Sequence, residues 1–329
     1  MIRAALVLCA ALCLSAACNR DPPPPPPAVP APATSGSSSA LADDTAELRF
    51  PAPRRLVAIG DIHGDLAAAR RALRIAGAID DADKWIGGDL VLVQTGDRID
   101  RGNEDRAVLD LFERLADEAK AAGGTVHALN GNHELMNVAG DFRYVSRPAF
   151  EEFAGLGPGI AGSDPNILRF PEPYRPRAAA FAPGGTYARK LAARGVVAIV
   201  GDSVFVHGGV SPAHVRHGLG RANREVRAWL EGASGPPPSV VTSDDGLVWT
   251  RRYSERPTPK DCADLGEVLD LLGAKRLVVG HTVQKDGITE GCGGKVWRVD
   301  VGMSAFYGGK TEVLEIVGSN LRRLGETPK

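Results

Sequence analysis

Arg55-Leu56-Val57-Ala58-Ile59-Gly60-Asp61-Ile62-His63-Gly64 is an apolar run that breaks at a glycine and then delivers an aspartate and a histidine two residues apart. The stretch from Leu56 to Ile59 has no polar face, so it reads as a strand buried on both sides, as in a sheet covered by other layers. Glycine at the break lets the backbone turn sharply and come close to whatever the two polar side chains hold. The same construction recurs along the chain. Leu90-Val91-Leu92-Val93-Gln94 leads to Gly96-Asp97-Arg98-Ile99-Asp100-Arg101-Gly102, and Val126-His127-Ala128-Leu129 leads to Gly131-Asn132-His133-Glu134. Val204-Phe205-Val206 runs into His207-Gly208-Gly209, and Arg276-Leu277-Val278-Val279 into Gly280-His281-Thr282. Val196 to Val200 and Val296 to Val299 are further strand-like runs. Between them Leu66, Ala69, Leu73 and Ala76, and then Val108, Leu111, Phe112, Leu115 and Ala119, fall at helical spacing. Short buried strands alternating with amphipathic helices define an α/β domain.

Ligands of open α/β folds bind beyond the carboxyl ends of strands. Five turns there present Asp61, His63, Asp97, Asn132, His207 and His281, which can surround one point. Taken singly, each feature is ordinary: a Gly-Asp after a strand is usually a turn, and a lone histidine is usually a hydrogen-bonded structural residue. His127, His214 and His217 take that ordinary reading. The other four of seven histidines all sit in glycine-flanked strand ends among Asp and Asn, and that grouping points to metal. Mixed Asp, Asn and His without thiolate suit Mn, Fe or Zn ions at a reactive centre rather than a structural zinc finger. Six ligands exceed what one catalytic ion with an open position needs. They suffice for two divalent ions about 3.5–4 Å apart, sharing one carboxylate and a water that attacks phosphorus directly.

The blocks GDIHGD (60–65), GDRIDRG (96–102) and GNHE (131–134) resemble the signature blocks of PPP-type serine/threonine phosphatases in the calcineurin-like superfamily. GNHELMN (131–137), DFRYV (141–145), DGLVWTR (245–251), VVGHTVQ (278–284) and DVGMSAFYGG (300–309) are similar to the bacterial Shewanella-like protein phosphatase branch. The resemblance runs from about Val57 to Ile316. It implies a sandwich of mixed β-sheets flanked by helices. By the same resemblance one ion takes Asp61 and His63, Asp97 is shared, and Asn132, His207 and His281 complete the second ion. His133 becomes the acid that protonates the leaving oxygen, oriented by Asp100; Arg101 clamps phosphate, with Arg251 as second clamp and Arg252 as its rival. Glu134 fits turn structure or ligand orientation better than ligation. The Ser-Ala-Pro-Asn-Tyr string of the eukaryotic enzymes is absent, and Asp300-Val301-Gly302-Met303-Ser304 stands in its place.

Thirty-nine Lys and Arg against forty Asp and Glu give a net charge of -1, so nothing favours nucleic acid or an anionic surface as partner. The substrate implied is a phosphoprotein. The alternatives are a small phosphoester, such as a nucleotide or dinucleoside polyphosphate, or no substrate at all in an exported metal-binding lipoprotein.

Residues 1–18, with Arg3 before an apolar run from Ala4 to Ala17, read as a secretory leader too short to span a bilayer. Leu14-Ser15-Ala16-Ala17-Cys18 resembles a bacterial lipoprotein signal, which would tether the chain to a membrane through Cys18 and place it in the periplasm. Residues 19–50, with six prolines from Pro22 to Pro27, read as a Pro/Ala/Ser-rich linker before a catalytic domain over 51–329. Only Cys262 and Cys292 then remain in the folded part, and in an oxidising compartment they suggest one disulfide. Residues 142–194 carry seven prolines and read as an irregular insert, a candidate substrate cap.

Overall fold

The runs without a polar face do become strands covered on both sides. The computed structural model describes residues 41, 43–156 and 164–325. Its strands are β1 (Arg49–Phe50), β2 (Leu56–Ile59), β3 (Val91–Gln94), β4 (Thr125–Ala128), β5 (Val197–Val200), β6 (Ser203–Val206), β7 (Arg276–Val279), β8 (Thr289–Gly291), β9 (Val296–Arg298), β10 (Glu312–Val317) and β11 (Asn320–Gly325). They form two mixed sheets, ordered β1-β5-β6-β7-β9-β8 and β11-β10-β2-β3-β4. Within them β2, β3 and β4 run parallel, as do β6, β7 and β9.

Period-two alternation decides what each face touches. Ala198, Val200, Phe205 and Val278 point into the core shared with β2, β3 and β4. Their neighbours Val197, Ile199, Val204, Val206, Leu277 and Val279 point the other way, onto helices Thr186–Ala192, Leu219–Leu230 and Pro259–Leu272. Helices Leu66–Ile75 and Asp105–Ala121 share the core of the five-stranded sheet. The first of them starts where Asp65 caps Ala68 N at 2.8 Å, and it buries Ala68, Ala69, Ala72 and Leu73. At roughly 1.5–3 kcal/mol per large apolar side chain, these interfaces supply most of the favourable folding energy.

Two expectations are corrected. The linker ends before residue 50: Asp44 accepts from Gly220 N and Arg221 N, Leu48 is buried, and Arg49–Phe50 pairs with Ile199–Val200. The apolar residues that anchor this stretch are too few and too scattered to stand out beside the proline run. The insert is helical rather than irregular, with helices Arg147–Glu151, Pro165–Leu168, Arg175–Phe181 and Thr186–Ala192. Pro148, Pro165 and Pro176 sit in first turns, where the missing N–H has no intrahelical partner to lose. The β10–β11 hairpin was not expected, although Val313-Leu314-Glu315-Ile316-Val317 before Gly318 is strand followed by turn.

Cys262 and Cys292 are joined in a disulfide with Cα atoms 5.2 Å apart. The closed loop contains His281, and in the chain-entropy account a loop of this length stabilises by about 3–4 kcal/mol. Residues 1–18, Cys18 included, and most of the linker lie outside the described residues.

Candidate metal centre

The parallel strands of both sheets end on one edge, and their turns are laced together there. Ile62 N and His63 N donate to Asp97 O, Thr95 N donates to Ile59 O, and Gly280 N donates to His207 O, all at 2.9–3.0 Å. Asp61 and His63 come from the end of β2, Asp97 from β3, Asn132 from beyond β4, His207 from β6 and His281 from β7. All six are buried. Among the described residues seven non-glycines have positive φ, and five are His63, Asp97, Asp100, Arg101 and His281. Such backbone costs on the order of 1–3 kcal/mol each and persists where the surroundings over-determine it. Two glycines are required by close approach: a Cβ on Gly131 would sit on Asp97 Oδ1, and one on Gly280 would sit on Asp61 Oδ1.

Asp97 is the common member of two groups able to hold an ion, His63–Asp97–His133 and Asp97–His207–His281. His63 Nε2 lies 3.9 Å from both Asp61 Oδ2 and Asp97 Oδ2. His207 Nε2 lies 3.1 Å from Asp97 Oδ2, 2.9 Å from Asn132 Oδ1 and 3.1 Å from His281 Nδ1.

The outer nitrogens of the imidazoles sort them into two kinds. His63 Nδ1 faces Ile99 O at 3.2 Å, His207 Nδ1 faces Thr95 O at 3.2 Å, and His281 Nε2 faces Trp249 O at 2.9 Å. A carbonyl only accepts, so each of these outer nitrogens carries the proton and the inner nitrogen offers a lone pair to the centre. His133 differs: its Nδ1 meets Asp100 Oδ2 at 2.7 Å, and its Nε2 stands 3.8 Å from Asp97 Oδ2.

Electrostatics divide them the same way. Burial lowers His63 to about 4, and burial with His207 and Arg251 lowers His281 to about 2, so both are neutral ligands at physiological pH. Burial also opposes charging of His133, but Asp97 and Asp100 outweigh it and raise that imidazole to about 9. Burial, Asp300 and Asp97 push Asp61 well above the carboxylate range, and burial raises Asp300 to about 6. Asp97 is held well below its usual range against the effect of burial, first by His207 and then by His133 and His63. The clustered Asp61, Asp97 and Asp300 carboxyls beside the neutral His63 and His281 form a donor set suited to divalent cations.

Glu134 accepts from Asp97 N, Arg98 N and Gly131 N at 2.7–2.9 Å, so it shapes the two turns and ligates nothing. Arg101 lies with its guanidinium 3.8 Å from the Tyr144 ring centre and 5.2 Å from that of Phe306, its buried Nε without a protein acceptor. Arg251 Nη1 donates to His281 O and Thr282 Oγ1 at 2.7 Å, while Arg252 pairs with Asp261 and Asp264. Of the two rivals, Arg251 is the one that touches the His281 turn. His127 packs on Phe50, His214 accepts from Ser211 N, and His217 pairs with Glu225, as befits structural histidines.

Three residues beyond the expected set belong to the site. Asp300, just beyond β9, faces Asp61, and like the candidate ligands it follows a strand end, though without a glycine before it. Tyr144 covers His133 and Arg101, and Arg177 reaches Asp100. Both come from the 142–194 insert; Tyr144 lies in the DFRYV block, whereas no local motif announces Arg177.

A sandwich of two mixed sheets whose shared edge holds a carboxylate common to two ligand groups is the frame of a dinuclear metal-dependent phosphatase. Residues 54–285 match the calcineurin-like phosphoesterase family, and the chain belongs to it. It is 42% identical over 304 residues to Shewanella-like protein phosphatase 2 of Arabidopsis thaliana, covering 83% of this chain and 78% of that protein. Shewanella-like protein phosphatase 1 of Plasmodium berghei is 31% identical over 263 residues, covering 77% and 68% respectively. Among solved structures, the cold-active protein-tyrosine phosphatase of a psychrophilic Shewanella superposes with a TM-score of 0.70 at 26% identity, covering 84% of this chain and 79% of that one. The chain is a metal-dependent phosphatase of this family.

Proposed function

We propose that the chain hydrolyses phosphomonoesters on phosphoproteins, with Asp61, His63, Asp97, Asn132, His207 and His281 holding two divalent ions of the Mn, Fe or Zn type. When bound, the ions supply the nucleophilic water and neutralise phosphoryl oxygens. The observation that carries the reading is the sorting of the histidines: three imidazoles are backed by carbonyls and one, His133, by a carboxylate. A carboxylate behind an imidazole keeps it protonated, so His133 Nε2–H can pass its proton to the departing oxygen while Asp100 holds the ring. Arg101, whose guanidinium packs on the Tyr144 ring, would grip phosphoryl oxygens, and Arg251 flanks the His281 turn. The relatives named protein phosphatases support a phosphoprotein substrate.

The test is a profile of metal-reconstituted protein on phosphoserine, phosphothreonine and phosphotyrosine peptides, nucleotides, dinucleoside polyphosphates and an aryl phosphate. Phosphopeptides should lead in kcat/KM; preference for nucleotides or dinucleoside polyphosphates would replace the phosphoprotein reading. We also propose export and tethering through a lipidated Cys18, on the leader-like residues 1–18 and with the Cys262–Cys292 bond as support. Membrane fractionation with mass spectrometry of the N-terminus checks it, and an intact Met1 on cytoplasmic protein contradicts it.

A further inference from the structure

Arg177 lies on the insert helix Arg175–Phe181 and has no exposed surface. Burying a guanidinium costs several kcal/mol unless every donor is matched. The residues that follow it in the helix are apolar, with Ala178, Ala179, Ala180 and Phe181 all buried. An apolar side chain at this position would fill the space without that cost, so core packing alone does not account for an arginine here.

Its donors are aimed at the pair that orients the proposed acid. Arg177 Nη2 meets Asp100 Oδ1 at 3.3 Å and Asp105 Oδ2 at 2.8 Å. Nε donates to Asn137 Oδ1 at 2.9 Å, Nη1 donates to Ala149 O at 3.1 Å, and the guanidinium lies about 5 Å from the Phe153 and Phe181 ring centres. Asn137 Nδ2 in turn donates to the same Asp100 oxygen at 3.0 Å. Arg177, Asn137 and Asp100 thus form a closed triangle on Oδ1, which leaves Oδ2 for His133 Nδ1 at 2.7 Å. With the triangle complete, the Asp100 carboxylate cannot rotate without breaking two hydrogen bonds.

We propose that Arg177 is a positioning residue: through Asp100 it fixes the ring of His133, so that the insert sets the aim of the proton donor rather than merely covering the centre. This rests on the reading of His133 as the acid. A catalytic group displaced by about 1 Å can lose on the order of 10²-fold in rate.

The experiment compares wild type, Arg177→Lys, Arg177→Met and His133→Ala on a phosphoserine peptide and on p-nitrophenyl phosphate, with metal content and melting temperature for each. Arg177→Lys keeps a charge but cannot meet all four acceptors. It should lose about 10–100-fold in kcat on phosphoserine at unchanged KM, only a few-fold on the aryl phosphate, and keep both metals. In a His133→Ala background the same substitution should change the phosphoserine rate by less than about threefold, because the group it acts through is gone. Equal losses on both substrates, an undiminished loss in the His133→Ala background, or unfolding of both Arg177 variants would assign Arg177 to the core and overturn the proposal. The two readings fail separately. If His133→Ala shows no leaving-group dependence, the acid reading falls and this one with it; if His133→Ala shows it and Arg177→Lys does not, only the positioning is lost.

Discussion

The β2–β3–β4 edge of the centre carries its chemistry in contiguous blocks, whereas the β6–β7–β9 edge contributes one residue per strand end. On the first edge, Gly131 to Glu134 alone provides a close-approach glycine, a ligand amide, an imidazole and the carboxylate that ties three backbone N–H groups together. On the second edge, His207, His281 and Asp300 have no such company in sequence; sheet register brings them together. The difference is also chemical. The second edge's imidazoles, His207 and His281, are both backed by carbonyls, while the first edge holds the one imidazole backed by a carboxylate. On the proposed reading, one edge combines metal binding with proton donation, and the other only binds.

Asp97 belongs to both candidate ligand groups, so its loss should have the largest effect. Asp97→Asn should lose most bound metal, and turnover should fall well beyond the ~10–100-fold typical of removing an outer-sphere partner. His214→Ala, away from both groups, should change neither. Metal analysis by mass spectrometry with steady-state kinetics checks the pair, and a fully loaded, active Asp97→Asn would break the shared-ligand assignment.

The contrast between edges is sharpened by His133→Ala against His281→Ala. His133→Ala should keep its metals and lose about 10²–10⁴-fold on phosphoserine but far less on an activated aryl phosphate, resembling Asp100→Asn. His281→Ala should lose metal and show the same proportional loss on both substrates. Metal loss in His133→Ala would move that residue into the ligand set.

A smaller effect is expected at Asp300. Asp300→Asn should weaken metal affinity by about 10–100-fold while kcat at saturating metal stays nearly unchanged. The same carboxylates set the pH dependence. Asp300 is raised to about 6 and Asp61 well above its usual range, so the metal-free protein holds protons there that the ions must displace. Metal affinity should therefore fall as pH drops through about 6, and proton release on loading should appear when titration calorimetry is repeated in buffers of different ionisation enthalpy. Binding with no proton release near that pH would remove Asp61 and Asp300 from the account.

What could be read from the sequence follows from how local each feature is. The strand ends with their glycines, the Asp and His ligands and the structural character of His127, His214 and His217 are visible because turn and ligand lie within a few residues of each other. Asp300 also follows a strand end but lacks the preceding glycine that marks Asp61, Asp97, Asn132 and His281. Tyr144 lies inside the DFRYV block, but Arg177 cannot be found that way, since it reaches the centre across the fold from an insert whose prolines read as irregular and instead open helices. The short Arg49–Phe50 strand escaped because two residues carry no periodicity, and only pairing with Ile199–Val200 makes them a strand.

The most direct test is anomalous diffraction from crystals of the metal-reconstituted protein, collected at the absorption edge of the bound ion. Two peaks per chain about 3.5–4 Å apart, with the Asp97 carboxylate between them and His133 coordinated to neither, is the predicted result. A single peak, or two peaks that do not share Asp97, would contradict it.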